Sequence, residues 1–261
     1  LRKHEKGDTM NIEERRTDKI SIIVPCYNEE ACIEIVYAET AAAMEALTEK
    51  EQVSYEIIFV DDGSRDRTWE LICGFHRENP TVSGLKLSRN RGHQNALVAG
   101  LMTARELCDI TISLDADLQD DIEVLDQFVE EYHKGAQIVY GVRSARDTDT
   151  AFKRSTAMGF YGLMKKMGVD IVSNHADYRL MSKKALDCFS GYHEVNLFLR
   201  GIVPLIGFPT AVVTYERSER FAGESKYPLK KMLSFAWDGI TSFSTKPLSL
   251  ITGVGVGVGF F

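Results

Sequence analysis

Short β-branched runs recur along the chain, each closed by polar residues and followed by a longer stretch with helical spacing. Ile20–Val24, Tyr55–Val60, Val82–Leu87, Ile110–Leu114 and Gln137–Tyr140 read as strands. Glu29–Leu47, a segment near Arg67–Arg77, Gln94–Leu107 and Ile122–Lys134 read as the helices between them. This β-α-β-α rhythm predicts an α/β fold: a Rossmann-like, mostly parallel sheet flanked by helices.

The polar signals gather where strands end. The first strand closes in Pro25-Cys26-Tyr27-Asn28-Glu29-Glu30 and the second in Asp61-Asp62-Gly63-Ser64. The third closes in Arg89-Asn90-Arg91-Gly92-His93 and the fourth in Asp115-Ala116-Asp117-Leu118-Gln119-Asp120-Asp121. Alone, each reads equally well as a turn, a helix cap or a solvated loop. Together on one edge they describe a site, because ligands of open α/β sheets bind outside the carboxyl ends of the strands.

The last tip crowds four carboxylates into seven residues. Such neighbours repel, so some must protonate or find a cation. No G-x-G-x-x-G follows the first strand and no G-x-x-x-x-G-K-[ST] occurs, so the usual backbone cradles for phosphate are missing. A diphosphate bound here needs cations. A divalent metal on Asp115 and Asp117 supplies one, since hard cations bridge carboxylate and phosphate oxygens. Gln119 continues the same alternation, while Asp120 and Asp121 read as caps of the next helix.

Composition narrows the class. The chain has 261 residues and a net charge of -7, which argues against a nucleic-acid binder. Its five cysteines form no C-x-x-C and no zinc spacing, and read as reduced thiols of a cytosolic body. Residues 1–19 are polar and charged without the apolar core of a signal peptide; Met10 is a candidate natural start, and a poorly ordered arm is expected.

The other end is apolar. Leu229, Met232, Leu233, Ala236, Trp237, Ile240 and Phe243 fall at helical spacing, with Arg217, Arg220, Lys226, Lys230 and Lys231 at the start of that stretch. Residues 228–246 are expected to form a juxtamembrane amphipathic helix, against the alternative of a surface helix packed on the domain. Residues 247–261 carry no charge and fall short of the ~20 residues that span a bilayer. They are expected to begin a truncated transmembrane helix, against the alternative of a Gly/Val strand. Their small residues suit helix packing in lipid. The basic cluster predicts that the catalytic domain lies on the cytoplasmic face of the membrane.

The motifs V-P-x-Y-N-E-E, V-D-D-G-S, the R-N-x-G loop and L-D-A-D-L-Q-D, in this order over roughly residues 20–245, resemble the family 2 glycosyltransferases of the GT-A fold. Gly141-Val142-Arg143, Lys153-Arg154-Ser155, Asp177-Tyr178-Arg179-Leu180 and Glu219 to Tyr227 make the chain similar to the polyprenyl-phosphate group within it. That group includes the dolichol-phosphate-mannose-synthase-like and bactoprenol glucosyltransferase-like enzymes. The resemblance implies a catalytic domain over residues 20–227, with Pro25, Tyr27 and Glu29 shaping a nucleotide pocket. Asp61 or Asp62 would contact the base or ribose, and Arg89, Asn90 and His93 would lie beside the base. Asp115, Asp117 and Gln119 would hold Mg2+ or Mn2+ and the donor diphosphate, with Asp117 counted as catalytic. Arg143 and Arg154 would bind the acceptor phosphate, and Lys226 and Tyr227 would close over phosphates. Asp177 would lie where the family often places an acid near the acceptor.

The reaction so implied is one inverting displacement, in which polyprenyl phosphate attacks the anomeric carbon of a nucleotide-sugar and the nucleotide diphosphate leaves. A lipid phosphate already carries charge at neutral pH, its second pKa being ~6, so it needs positioning more than a general base. Arg143 and Arg154 therefore weigh more than Asp177, whose other reading is an ion pair with Arg179. By resemblance UDP is the preferred nucleotide, with UDP-glucose ahead of UDP-N-acetylglucosamine and GDP-mannose as the alternative. The expected partners are this donor, the lipid acceptor and a bilayer, with a homo-oligomer left open and no nucleic acid. A processive polysaccharide synthase is the rival on the same fold, but its Q-x-x-R-W is answered here by Asn196-Leu197-Phe198-Leu199-Arg200-Gly201. A catalytically idle scaffold would have lost the acids, and a nucleotidyltransferase would not need the apolar tail.

Overall fold

The computed structural model describes residues 17–144, 175–193 and 199–216, together with Thr252, Gly255, Val256, Val258 and Gly259. The chain runs β1 (Lys19–Cys26), α1 (Ile33–Glu51), β2 (Ser54–Asp61), α2 (Thr68–Glu78), β3 (Val82–Lys86), α3 (His93–Ala104) and β4 (Ile110–Ser113). A single 3-10 turn at Ile122–Val124 leads into α4 (Leu125–His133). There follow β5 (Ile138–Arg143), β6 (His175–Ser182), α5 (Lys183–Phe189), α6 (Leu199–Leu205) and β7 (Thr210–Tyr215).

The described strands form one sheet in the order β3-β2-β1-β4-β6-β5-β7. All pairings are parallel except those of β6, which runs antiparallel to both β4 and β5. Period-two alternation divides the strand side chains between two cores. Ile20, Ile22, Val24, Ile57 and Phe59 face a core with Ile33, Met44, Phe75 and Phe128 of α1, α2 and α4. Ile23, Ile58 and Val60 face the other, with Leu97, Leu186 and Ile202 of α3, α5 and α6. Burial on both faces explains why these strands are apolar runs rather than alternating ones. A methyl group on Gly100 would sit 2.4 Å from the Ile23 side chain, so glycine lets α3 lie close on β1.

The α/β sandwich with a mostly parallel sheet is the architecture expected of a GT-A-like fold. The five predicted strands and four predicted helices are present, with shifted ends. α1 begins at Ile33 rather than Glu29; ahead of it Asn28 N–H donates to Ser64 Oγ (3.0 Å) and Glu29 N–H to Thr68 Oγ1 (2.9 Å), and Cys32 N–H closes a turn on the Glu29 carbonyl (3.1 Å). β6, β7, α5 and α6 were not foreseen. β1 opens at Lys19, the last residue assigned to the polar arm, and the Ser54 N–H donates to the Asp18 carbonyl (3.0 Å).

The expected amphipathic helix over 228–246 lies outside the described residues, as do Lys153-Arg154-Ser155 and the segment from Glu219 to Tyr227. The five described residues of the apolar tail are helical, not strand. Among the described residues no helix is long and apolar enough to cross a membrane.

Candidate active site

Every strand tip singled out above lies at one edge of the sheet. The antiparallel β6 adds its beginning to that edge rather than its end, and β5 and β7 add Arg143 and Tyr215. Ser113 of β4 pairs with Arg179 of β6. Continuing this register by two residues sets Asp177 level with Asp115.

The first two tips are knitted by reciprocal hydrogen bonds. Ser64 Oγ accepts from Asn28 N–H, and Asn28 Oδ1 accepts from Arg65 N–H (2.9 Å). Asn28 takes a left-handed φ of 56°, which a short amide side chain tolerates. Pro25 is buried within β1, while Tyr27 and Glu29 are partly exposed at its end. Asp61 and Asp62 are both buried, and their roles differ. Asp61 Oδ1 accepts from Ser64 N–H (2.9 Å), and its Oδ2 lies 3.8 Å from Lys86 Nζ. Asp62 reaches across to the third tip, where its oxygens accept from Arg91 N–H (2.6 Å) and Gly92 N–H (2.8 Å). It thereby fixes the Arg89–His93 loop and the start of α3, while Arg89 and Asn90 remain exposed. Gly63 follows the two acids at φ 70°, and a Cβ there would sit 2.6 Å from the Arg89 carbonyl carbon. Only glycine allows that approach.

The acidic tip is a bent loop. Asp117 Oδ1 accepts from Gln119 N–H (3.2 Å), and Leu118 takes φ 56°, a conformation that costs a bulky residue roughly 1–3 kcal/mol. The Leu118 side chain packs on the core and holds the bend. Cys32 Sγ donates to the Ala116 carbonyl (3.2 Å), tying the first tip to this loop. Asp121 caps the following turn as expected, accepting from Glu123 N–H (2.9 Å). Asp120 corrects the sequence reading, because it caps nothing. Its buried carboxylate accepts from the Tyr215 hydroxyl and pairs with Arg143 Nη2 (3.4 Å).

A charge cluster gathers at the sheet edge where β4 ends and β6 begins. His93 Nε2 lies 3.5 Å from both Asp115 Oδ1 and Asp177 Oδ2. Asp177 Oδ1 accepts from Arg179 Nη2 (3.0 Å) and lies 3.6 Å from Arg200 Nε. Burial would raise the Asp177 carboxyl, but the His93 hydrogen bond and the charges of Arg200 and Arg179 hold it well below the usual carboxylate range. Burial would lower the His93 imidazole, yet the bond to Asp177 and the charges of Asp115 and Asp177 raise it to about 9. Asp115 is pushed up to about 6 by burial, with Asp120, Asp177 and Asp117 adding to the effect against the charge of His93. Asp177 is thus a firmly ionised anchor, and its ion pair with Arg179 is present. Asp115 shares His93 with Asp177, which has Arg179 and Arg200 besides.

The donor set fits a divalent cation. Among the described residues no group of three or more His, Cys, Asp or Glu is arranged to hold a metal by itself. Asp115, Asp117 and Gln119 share one bent loop and offer oxygen donors only, which suits Mg2+ or Mn2+ completed by oxygens from a ligand. Arg143, at the end of β5, pairs with Asp120 of that loop. Arg154, Lys226 and Tyr227 lie outside the described residues.

Sequence reasoning missed Asp120 and Tyr215 as a pair and did not give Arg200 a place. The signal for Tyr215 was the alternation of β7, which buries Val213 and Tyr215 on one face.

Comparison with known proteins gives a consistent picture. The family described as Glycosyl transferase family 2 matches residues 21–189. The uncharacterised glycosyltransferase YkoT of Bacillus subtilis is 54% identical over 238 residues, 90% of this chain and 71% of that protein. The prophage bactoprenol glucosyl transferase homolog of Escherichia coli is 42% identical over 239 residues, 91% and 76% of the two chains. Among solved structures, mannosyl-3-phosphoglycerate synthase from Rubrobacter xylanophilus superposes with a TM-score of 0.55 at 14% identity, over 87% and 73% of the chains. Glucosyl-3-phosphoglycerate synthase from Mycobacterium tuberculosis, in complex with Mn2+, UDP-glucose and glycerol 3-phosphate, gives 0.53 at 18%, over 84% and 76%.

Proposed function

The chain belongs to glycosyl transferase family 2 and is a glycosyltransferase; on that premise we propose that it transfers a sugar, with inversion, from a UDP-sugar to polyprenyl phosphate at a membrane surface. The observation that carries the reading is the acidic loop, where Asp115 and Asp117 crowd beside Asp120 and Asp177 with Asp115 pushed up to about 6. A loop so crowded with carboxylates suits a cation brought in with a diphosphate. Asp115, Asp117 and Gln119 would hold Mg2+ or Mn2+, which when bound would draw off the charge of the departing diphosphate. The Mycobacterium synthase of the same fold carries Mn2+ with UDP-glucose, in line with this choice.

The chain's own residues then divide the work. Pro25, Tyr27, Glu29, Asp61 and the Arg89–His93 loop border the nucleotide pocket, with Asp62 keeping that loop in register. Arg143, and by resemblance Arg154, Lys226 and Tyr227, bind the acceptor phosphate. Asp177, held ionised by His93, Arg179 and Arg200, is a weak proton acceptor, and an acceptor phosphate needs none. Its work is to orient those cations around the reacting centre. The Escherichia coli relative at 42% identity bears the name of a bactoprenol glucosyl transferase homolog, which favours the same acceptor here and glucose as the sugar.

The test is a donor screen with undecaprenyl phosphate and Mn2+ or Mg2+, scored by mass spectrometry of the glycolipid. The reading predicts one hexose per lipid, with UDP-glucose ahead of UDP-N-acetylglucosamine and GDP-mannose. Polymer growth would favour the processive alternative, and no glycolipid from any donor would refute the acceptor.

Membrane attachment is read from residues 228–261. Burying one Leu or Trp contributes roughly 1.5–3 kcal/mol, and each nearby Lys or Arg adds about 1 kcal/mol on an anionic leaflet. The chain is expected to float with anionic liposomes, and Trp237→Glu with Leu233→Glu to weaken that flotation. Equal sedimentation with and without liposomes would rule the interface helix out.

A further inference from the structure

Arg143 and Tyr215 are register partners at the ends of the parallel strands β5 and β7. Arg143 Nε donates to the Tyr215 hydroxyl (3.2 Å), and Arg143 Nη2 pairs with Asp120 Oδ1 (3.4 Å). The Tyr215 hydroxyl donates to the same Asp120 oxygen, closing a three-membered ring of contacts. The ring is well supported. The Asp120 side chain is fully buried, and Tyr215 stands edge-on to Tyr178 with centroids 5.3 Å apart. Tyr178 in turn donates to the Asp121 carbonyl (2.9 Å). Two tyrosines on β6 and β7 thus anchor the segment that follows the Asp115/Asp117 pair.

We propose that Tyr215 and Asp120 are positioning residues that hold the Arg143 guanidinium in the orientation in which it receives the acceptor phosphate. The proposal rests on the reading of Arg143 as an acceptor ligand. A guanidinium is a planar fork of N–H donors, and one gripped through Nε and Nη2 presents its remaining donors in a fixed direction. An arginine left to itself would have to be ordered by the phosphate on binding, at a cost in affinity. Burial raises the Tyr215 hydroxyl, and neighbouring Asp120 raises it further, so it stays protonated as the donor the ring requires. Asp120 lies three residues beyond Asp117, so the grip also sets the spacing between the acceptor arginine and the acidic loop.

A double-mutant cycle on the whole 261-residue chain tests this, with acceptor KM, donor KM and kcat measured for Tyr215→Phe, Arg143→Ala and the pair. Tyr215→Phe keeps the aromatic side chain and removes only the hydroxyl. It is expected to raise acceptor KM about three- to tenfold, the scale of re-ordering one long side chain, with donor KM unchanged. Arg143→Ala is expected to raise acceptor KM further, and Tyr215→Phe to add nothing in that background. If Tyr215→Phe keeps its full effect without Arg143, or has none while Arg143→Ala does, positioning is refuted although Arg143 remains an acceptor ligand. If Arg143→Ala leaves acceptor KM unchanged, the acceptor role of Arg143 fails, and the proposal with it. Asp120→Asn carries the same cycle should Tyr215→Phe fold poorly.

Discussion

Asp117→Asn is expected to lower kcat by roughly 10²–10³-fold, the scale seen when one stabilising contact to a developing charge is removed. The fold should survive. Asp117 is half-exposed on the loop after β4, and it accepts from Gln119 N–H (3.2 Å). An asparagine carbonyl oxygen can do the same, so thermal unfolding should shift by no more than a degree or two. The change removes a negative charge and one hard oxygen ligand from the acidic loop. Glycolipid formation at saturating donor and acceptor, beside a melting curve of each protein, provides the check. A variant that keeps wild-type kcat would take Asp117 out of the chemistry. A variant that melts far below wild type would make its role structural.

Gly63→Ala should be the most damaging of the small substitutions. The left-handed backbone costs an alanine about 1–2 kcal/mol, and overpacking adds typically 1–3 kcal/mol. The obstacle is backbone, since the new methyl would meet the Arg89 carbonyl carbon at 2.6 Å and the Asn90 nitrogen at 2.8 Å. A loss of a few kcal/mol lowers the melting temperature of a domain this size by roughly 5–15 °C. The Arg89–His93 loop would be pushed off the grip of Asp62, so nucleotide affinity should fall as well. A melting temperature within 1–2 °C of wild type would show that the two loops can part at little cost.

These two positions also mark what the sequence could and could not reveal. The Asp115/Asp117 pair and the Asp61-Asp62-Gly63-Ser64 turn were legible because they end apolar runs, where an abrupt change from buried strand to polar tip is a local signal. The division of labour between Asp61 and Asp62 was not. It depends on which carboxylate crosses to the backbone of Arg91 and Gly92, a contact between residues 29 and 30 positions apart. β6 escaped notice because Asp177 and Arg179 interrupt its apolar pattern, and they do so because they serve the charge cluster. The antiparallel course of β6 brings Asp177 beside His93 and Asp115. Nothing in the local pattern announces a strand direction. Asp120 was read as a helix cap by its position, and its true partner lies 95 residues away on β7. Arg200 belongs with Asp177 for the same reason: α6 meets the sheet edge through long-range packing, not local spacing.

The central claim is that the carboxyl edge of the sheet binds a nucleoside diphosphate through a cation held on Asp115 and Asp117. Titration calorimetry of UDP into the protein tests it directly, once with Mn2+ present and once after EDTA. The account predicts saturable binding that collapses by at least tenfold in affinity when the metal is removed. Equal affinity in the two titrations would contradict it.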